Sequence, residues 1–151
     1  MPQSLSQMYV HIIFSTKEQI PFLKDIDIRK EMHAYLASII KAYANIPLIV
    51  GGVEDHIHIL CVLSKTNTLA KVVGETKRNS SKWIKTKDAI YSDFLWQRGY
   101  GAFSVSHSQI KRVHRYINNQ EQHHKKISFK EEYLDFLEKH EQEFDDRYLW
   151  D

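Results

Sequence analysis

Residues Asp55 to Leu60 read DHIHIL, within a largely apolar run from Ile46 to Leu63. A β-strand has a side-chain period of two, so His56 and His58 leave one face while Ile57 and Ile59 leave the other. The pattern calls for a sheet and dictates which of its faces carries the imidazoles. Two imidazoles, one above the other, are either hydrogen-bonded histidines of a half-buried strand or two ligands of one metal ion. Two nitrogens make only half of a typical metal site, so the rest of the chain has to decide.

Before this stretch, Tyr9 to Ser15 (YVHIIFS) is β-branched and aromatic and reads as a strand, with His11 on the face of Tyr9 and Ile13. From Asp27 to about Tyr43 the residues Ile28, Met32, Tyr35, Leu36, Ile39 and Ile40 recur at three and four, which predicts an amphipathic helix. Asn45 and Pro47 end it. Ile46 to Val53 and His56 to Leu63 form a hairpin around Glu54-Asp55, and Gly51-Gly52 allows a bulge or a close backbone approach.

A second helix is expected from about Asn67 to Lys85, with Leu69, Val72, Val73, Ser80, Trp83 and Ile84 inward. Lys71, Arg78, Lys82 and Lys85 share an outer stripe that could track a phosphate backbone, although Glu75 lies close enough to pair with part of it. Phe94 to Val105 (FLWQRGYGAFSV) is expected to be a fourth strand, bent at Gly99 or Gly101. Ser106 to Gln109 resembles a capping box that opens a third helix to about His124, with Ile110, Val113 and Ile117 as its apolar stripe. Tyr116 and Gln120, four apart, then sit on one helix face beside that stripe. Ser128 with Glu131 opens a last, acidic helix with Tyr133, Phe136, Leu137 and His140 on one face, and Tyr148-Leu149-Trp150 is apolar enough to dock.

The order β-α-β-β-α-β followed by further helices predicts an α+β fold: a ferredoxin-like split antiparallel sheet with strands one and three central and additional C-terminal helices. His11 could then approach His56 and His58. The 151 residues fit a single domain, 1–151, of which 128–151 is the acidic C-terminal helix and tail. The first seven residues are polar, unlike a signal peptide, and no apolar run reaches the ~18 residues of a membrane span. Cys61 is the only cysteine, so no internal disulfide can form. The expectation is a cytoplasmic protein with Cys61 as a small core residue.

Charge divides the chain. From Ser128 on there are three basic and nine acidic residues, against 18 and 10 before it, so the body carries +8 although the whole carries +2. A basic body suits a polyanionic partner such as nucleic acid, and ordinary surface charge is the plainer alternative.

Four stretches together resemble the single-tyrosine HUH transposases of the insertion-sequence-two-hundred kind and their REP-associated relatives. They are DHIHIL at Asp55 to Leu60, SSKWI at Ser80 to Ile84, WQRGYGAFSVS at Trp96 to Ser106, and YINNQ at Tyr116 to Gln120. The resemblance implies an enzyme that cuts and rejoins single-stranded DNA at hairpin-bearing element ends. It implies Tyr116 as nucleophile, and His56, His58 and Gln120 as ligands of a divalent metal, Mg²⁺ or Mn²⁺. It also implies a homodimer in which the tyrosine helix of one subunit can complete the site of the other.

The chemistry is consistent with those residue types. A metal neutralises and polarises a phosphodiester, and a phenol of pKa ~10 needs help to become a nucleophile. Imidazole ligands alone would favour Mn²⁺ or Zn²⁺ over Mg²⁺. Three other readings stay open: a domesticated nickase of repetitive extragenic hairpins, a non-catalytic DNA-binding module, and a metal-dependent hydrolase using water. His107, His114, His123, His124 and His140 read as surface or helix-end histidines. His123-His124 with Lys125-Lys126 is a further candidate phosphate contact.

Overall fold

The computed structural model describes residues 2–43 and 45–151. Strands β1 (Tyr9–Ser15), β2 (Ile46–Gly52), β3 (His56–Val62) and β4 (Gly101–Val105) form one antiparallel sheet in the order β2-β3-β1-β4. The helices are α1 (Ile26–Ala42), α2 (Leu69–Lys85), α3 (Ile110–Asn118), the short α4 (Gln120–His123) and α5 (Phe129–Lys139). The expected α+β split arrangement is therefore present, with β1 and β3 as the central pair.

Strand alternation divides the sheet into two chemically different faces. Val10, Ile12 and Phe14 of β1, with Ile57, Ile59 and Cys61 of β3, pack under Met32, Leu36 and Ile40 of α1 and Val72, Val73 and Ile84 of α2. Each such fully buried aliphatic side chain contributes about 1.5–3 kcal/mol. The other face carries His11, Ile13, Ser15, His56 and His58. Its apolar cover is Phe129, Tyr133 and Leu137 of α5, which pack with Ile13 and Phe103. Cys61 is buried on the α1–α2 side, where burial pushes its thiol up to about 12.

Two glycines make the hairpin and its helix cover possible. Gly52 has φ +152°, and a Cβ there would lie 2.2 Å from the His56 carbonyl oxygen. A Cβ on Gly51 would lie 2.8 Å from the backbone oxygen of Ile117, so α3 can approach β2 only because the side chain is missing.

Two expected elements differ. The fourth strand starts at Gly101 rather than Phe94. Residues before it pair only at Trp96 with Thr16, and then Lys77 Nζ donates to the carbonyls of Gln97, Arg98 and Gly99 at 2.6–3.1 Å. Trp96 Nε1 donates to Ser80 Oγ at 2.9 Å, so the SSKWI and WQRGYG stretches are partners in one piece of scaffold. Phe94 and Trp96 are buried within the chain.

The third helix is not continuous. It opens with a 3-10 turn, His107–Gln109, whose Ser106 makes no capping side-chain bond, and it breaks at Asn119. At Ser128 with Glu131, expected to open the last helix, a capping box does form, worth about 1 kcal/mol to the start of α5. After α5 the chain returns to the core. Leu149 and Trp150 pack on the α5 cluster, and the Asp151 carbonyl accepts from Gly99 N at 2.9 Å, while Tyr148 stays exposed.

Candidate active site

His56 and His58 are both fully buried. Their Nδ1 atoms are anchored: His56 to Asp55 Oδ1 at 2.7 Å, and His58 to His11 Nε2 at 2.8 Å. Anchoring one ring nitrogen fixes the orientation of the imidazole and aims the other. Both Nε2 atoms point to one spot, over which α3, α4 and α5 close.

Gln120 arrives at that spot from α4. Its Oε1 is 3.2 Å from His56 Nε2, and its Nε2 donates to Glu132 at 3.2 Å. Tyr116 arrives from α3, with its ring centroid 5.7 Å from that of His58. The chain thus brings together His56, His58, Gln120 and Tyr116, and its own tyrosine stands at its own histidines. The break at Asn119 separates Tyr116 from Gln120 on the backbone, but both side chains still converge.

Two residues that sequence reasoning left as bystanders or tail are central here. Glu132 of α5 is 2 % exposed. Its Oε1 is 2.8 Å from His58 Nε2 and 3.3 Å from His56 Nε2. Its Oε2 accepts the Tyr116 hydroxyl and stands 3.2 Å from His123 Nε2 and 3.1 Å from His124 Nε2. His56, His58, His124 and Glu132 each offer one ligand atom, all within 4.8 Å of one another.

His124 is oriented like the other two. Its Nδ1 donates to the Ile127 carbonyl at 2.9 Å, while its buried Nε2 makes no hydrogen bond although Glu132 Oε2 stands 3.1 Å away. A buried nitrogen lone pair without a donor, beside two further imidazoles and a carboxylate, is a donor set that fits a divalent metal.

The electrostatics follow from this crowding. Burial disfavours the charged form of His56, yet Asp55 and Glu132 outweigh it and hold its pKa up at about 9. His58 has no such second carboxylate, and burial pushes it down to about 4 despite Glu132. Burial also opposes the charge on Glu132, but the surrounding imidazoles hold its carboxyl well below the usual range. Tyr116 is raised by burial first and by Glu132 second, so the phenol is held protonated. The positive charge that a phenolate needs is therefore not supplied by the groups around the hydroxyl, whose strongest contact is a carboxylate.

Beside Tyr116 lies an open cavity of about 530 Å³, lined among others by His11, Phe103, Arg112, Tyr116, Phe136 and Lys139. Phe103 and Phe136 stack within it at 5.6 Å, and no carboxylate lines it. The α2 stripe is elsewhere: α2 covers the opposite face of the sheet, so Lys71, Arg78, Lys82 and Lys85 are not brought to the histidines. Arg78 is paired with Glu75, leaving Lys71, Lys82 and Lys85 exposed.

Residues 4–120 match the family described as "Transposase IS200 like". A crystal structure of a transposase candidate from Deinococcus radiodurans R1 is similar, with a TM-score of 0.62 and 19% identity over 80% of this chain and 95% of that one. A REP-associated tyrosine transposase bound to a REP hairpin is similar at a TM-score of 0.60 and 11% identity, over 82% of this chain and 72% of that one. At these identities the two structures speak for the fold. No protein of curated function matches.

Proposed function

This chain belongs to the IS200-like transposase family, and from that premise we propose that it cleaves and rejoins single-stranded DNA at hairpin-bearing ends through a covalent bond to Tyr116. The observation that carries the reading is the convergence of the Tyr116 hydroxyl with His56, His58 and Gln120 at one buried spot. In the step, the Tyr116 oxygen bonds to phosphorus and the bond to the 3′ oxygen breaks. The products are a 5′-phosphotyrosine and a free 3′-hydroxyl. The phenol proton leaves to His123, whose Nε2 is 3.0 Å from the hydroxyl, and the departing 3′ oxygen takes up a proton from solvent. The phosphotyrosine keeps the bond energy, so rejoining needs no nucleotide cofactor.

His56, His58 and Gln120 would hold a divalent metal, Mg²⁺ or Mn²⁺ by family resemblance. When bound it would neutralise the scissile phosphate and make phosphorus more electrophilic. The substrate strand would lie in the cavity beside Tyr116. There the half-buried ring of Phe136 lies beside the exposed Arg112 and Lys139, which offer charge to the backbone. The exposed Lys71, Lys82 and Lys85 would hold a duplex stem by its phosphates.

A homodimer belongs to the same reading, with β2 and β4 as the sheet's two open edges. Light scattering that reports a monomer at micromolar concentration, with and without hairpin DNA, overturns it. Among the described residues no helix is long and apolar enough to cross a membrane.

The test of function is a nicking assay on single-stranded hairpin DNA with Mn²⁺, followed by mass spectrometry of the trapped adduct. DNA attached at Tyr116, and no adduct from His58→Ala, is the expected result. A cut without a tyrosine-linked product would favour a hydrolase, and binding without any cut a DNA-binding module.

A further inference from the structure

We propose that His124 and Glu132, both beyond the last residue that the family match covers, are ligands of the same divalent cation as His56 and His58. This chain would then complete its metal site with a carboxylate carried on its own helix α5. The proposal rests on the metal-dependent reading above and extends the ligand set.

The argument is one of proton placement. Asp55 faces His56 Nδ1 and the Ile127 carbonyl faces His124 Nδ1, and both partners are acceptors only. Each neutral ring therefore carries its proton on Nδ1 and turns a lone pair at Nε2 inward. What those lone pairs meet is again an acceptor: Glu132 Oε1 at 3.3 Å from His56, and Glu132 Oε2 at 3.1 Å from His124. Lone pairs that converge with no proton between them repel unless a positive charge sits among them. That charge is either an extra proton, which Asp55 and Glu132 favour on His56, or one cation shared by all.

Four donor atoms within 4.8 Å of one another have the span of a single coordination shell. A cation also answers the desolvation problem. A carboxylate buried as deeply as that of Glu132 costs several kcal/mol without a compensating charge, yet α5 is seated so as to put it there. Phe129 and Tyr133, on either side of Glu132, are buried in the core, and the Phe129 ring lies 4.8 Å from that of His56.

Three imidazoles and a carboxylate also select among metals. Nitrogen-rich sets suit Mn²⁺, Co²⁺ or Zn²⁺, whereas Mg²⁺ keeps to oxygen and water. The inferred set thus predicts a stronger preference for Mn²⁺ over Mg²⁺ than two histidines and an amide would give. It also places one carboxylate in contact with both the cation and the nucleophile, because Glu132 Oε2 is the acceptor of the Tyr116 hydroxyl.

The experiment is calorimetric titration of the full chain with Mn²⁺ and with Zn²⁺, for the wild type, Glu132→Gln, His124→Gln and, as a surface control, Asp135→Asn. The expected result is one ion per chain, at least about tenfold weaker binding in the first two variants, and no change in the control. Binding by Glu132→Gln as tight as wild type, or tighter, would show that Glu132 only competes with the ion, and overturns the proposal.

Zinc-edge X-ray absorption of the unmodified protein is the second measurement and needs no variant to fold. Three imidazoles in the shell agree with the ligand set, and two exclude His124. Adduct formation by the wild type is scored in parallel. A wild type that forms the adduct while Glu132→Gln binds metal normally removes this proposal alone. A wild type that binds metal and forms no adduct removes the catalytic reading instead.

Discussion

Glu132 Oε1 stands 2.8 Å from His58 Nε2 across 74 positions of sequence, and the other oxygen of the same carboxylate accepts the hydroxyl of Tyr116. The acidic tail helix is thereby tied to the HUH strand and to the tyrosine helix at once. Any account of the site has to include a segment that lies outside the family match.

Tyr116→Phe removes the hydroxyl and keeps the ring in its edge-on contacts with His11, His58 and Phe136. Glu132 loses one donor but retains His58 and Gln120. The expected cost in stability is therefore about 1 kcal/mol, hairpin binding survives, and the covalent adduct disappears. Denaturation, gel shift and adduct mass spectrometry read the three separately. Normal cutting by the variant would reduce Tyr116 to a packing residue.

The histidine strand was legible because a period of two leaves no choice about which side chains share a face. The hairpin and the need for Gly51-Gly52 were legible from the same run. Glu132 was missed because it is one of nine acidic residues in a segment that reads as solvated. The signal was nonetheless present. Phe129, Tyr133, Phe136, Leu137 and His140 make the apolar stripe of α5, and Glu132 falls in that stripe at three and four from Phe129 and Phe136. A lone carboxylate on a buried helix face asks for a partner. His124 could not be found this way, since its orientation comes from the turn after α4 and the Ile127 carbonyl. The expected strand from Phe94 failed because Lys77 and Ser80 bind that stretch as loop, a tertiary effect that outweighs the β-propensity of its aromatics.

Gly51→Ala tests how α3 is positioned. The new Cβ would meet the Ile117 backbone oxygen at 2.8 Å and its Cγ2 at 2.9 Å, and backbone cannot yield as a side-chain tip does. The expected outcome is a loss of about 1–3 kcal/mol in stability and a slower adduct reaction, since Ile117 is the residue after Tyr116. An unchanged rate with an unchanged melting temperature would mean that α3 moves freely on the sheet.

His33 gives the chain a pH-dependent stability away from the site. Burial, and secondly the charge of Arg29, lowers its pKa to about 4 from 6.5, and its Nε2 has no hydrogen-bond partner. Between those two values the unfolded chain binds a proton that the folded chain refuses. Stability from this group is therefore complete above pH 6.5 and is lost as pH falls toward 4. His33→Gln should flatten the slope of unfolding free energy in that window, by about 1–3 kcal/mol across it. Equal slopes for variant and wild type in urea titrations would refute the assignment.

The α2 stripe separates binding from chemistry, because α2 covers the sheet face opposite His56 and His58. Lys71 and Lys82 are exposed, and among the described residues neither makes an ion pair. Replacing both with Gln should reduce the salt slope of log affinity for hairpin DNA by about two and weaken binding alike across sequences. Arg78 should count for less, since its charge is already engaged by Glu75. At saturating DNA the adduct rate of the double variant should equal that of the wild type, because no stripe residue reaches Tyr116. A slope unchanged after both substitutions would move the phosphate contacts off α2. A slope that fell together with the saturated rate would mean that the bound strand crosses from one face of the sheet to the other and is aligned by α2 at the moment of reaction.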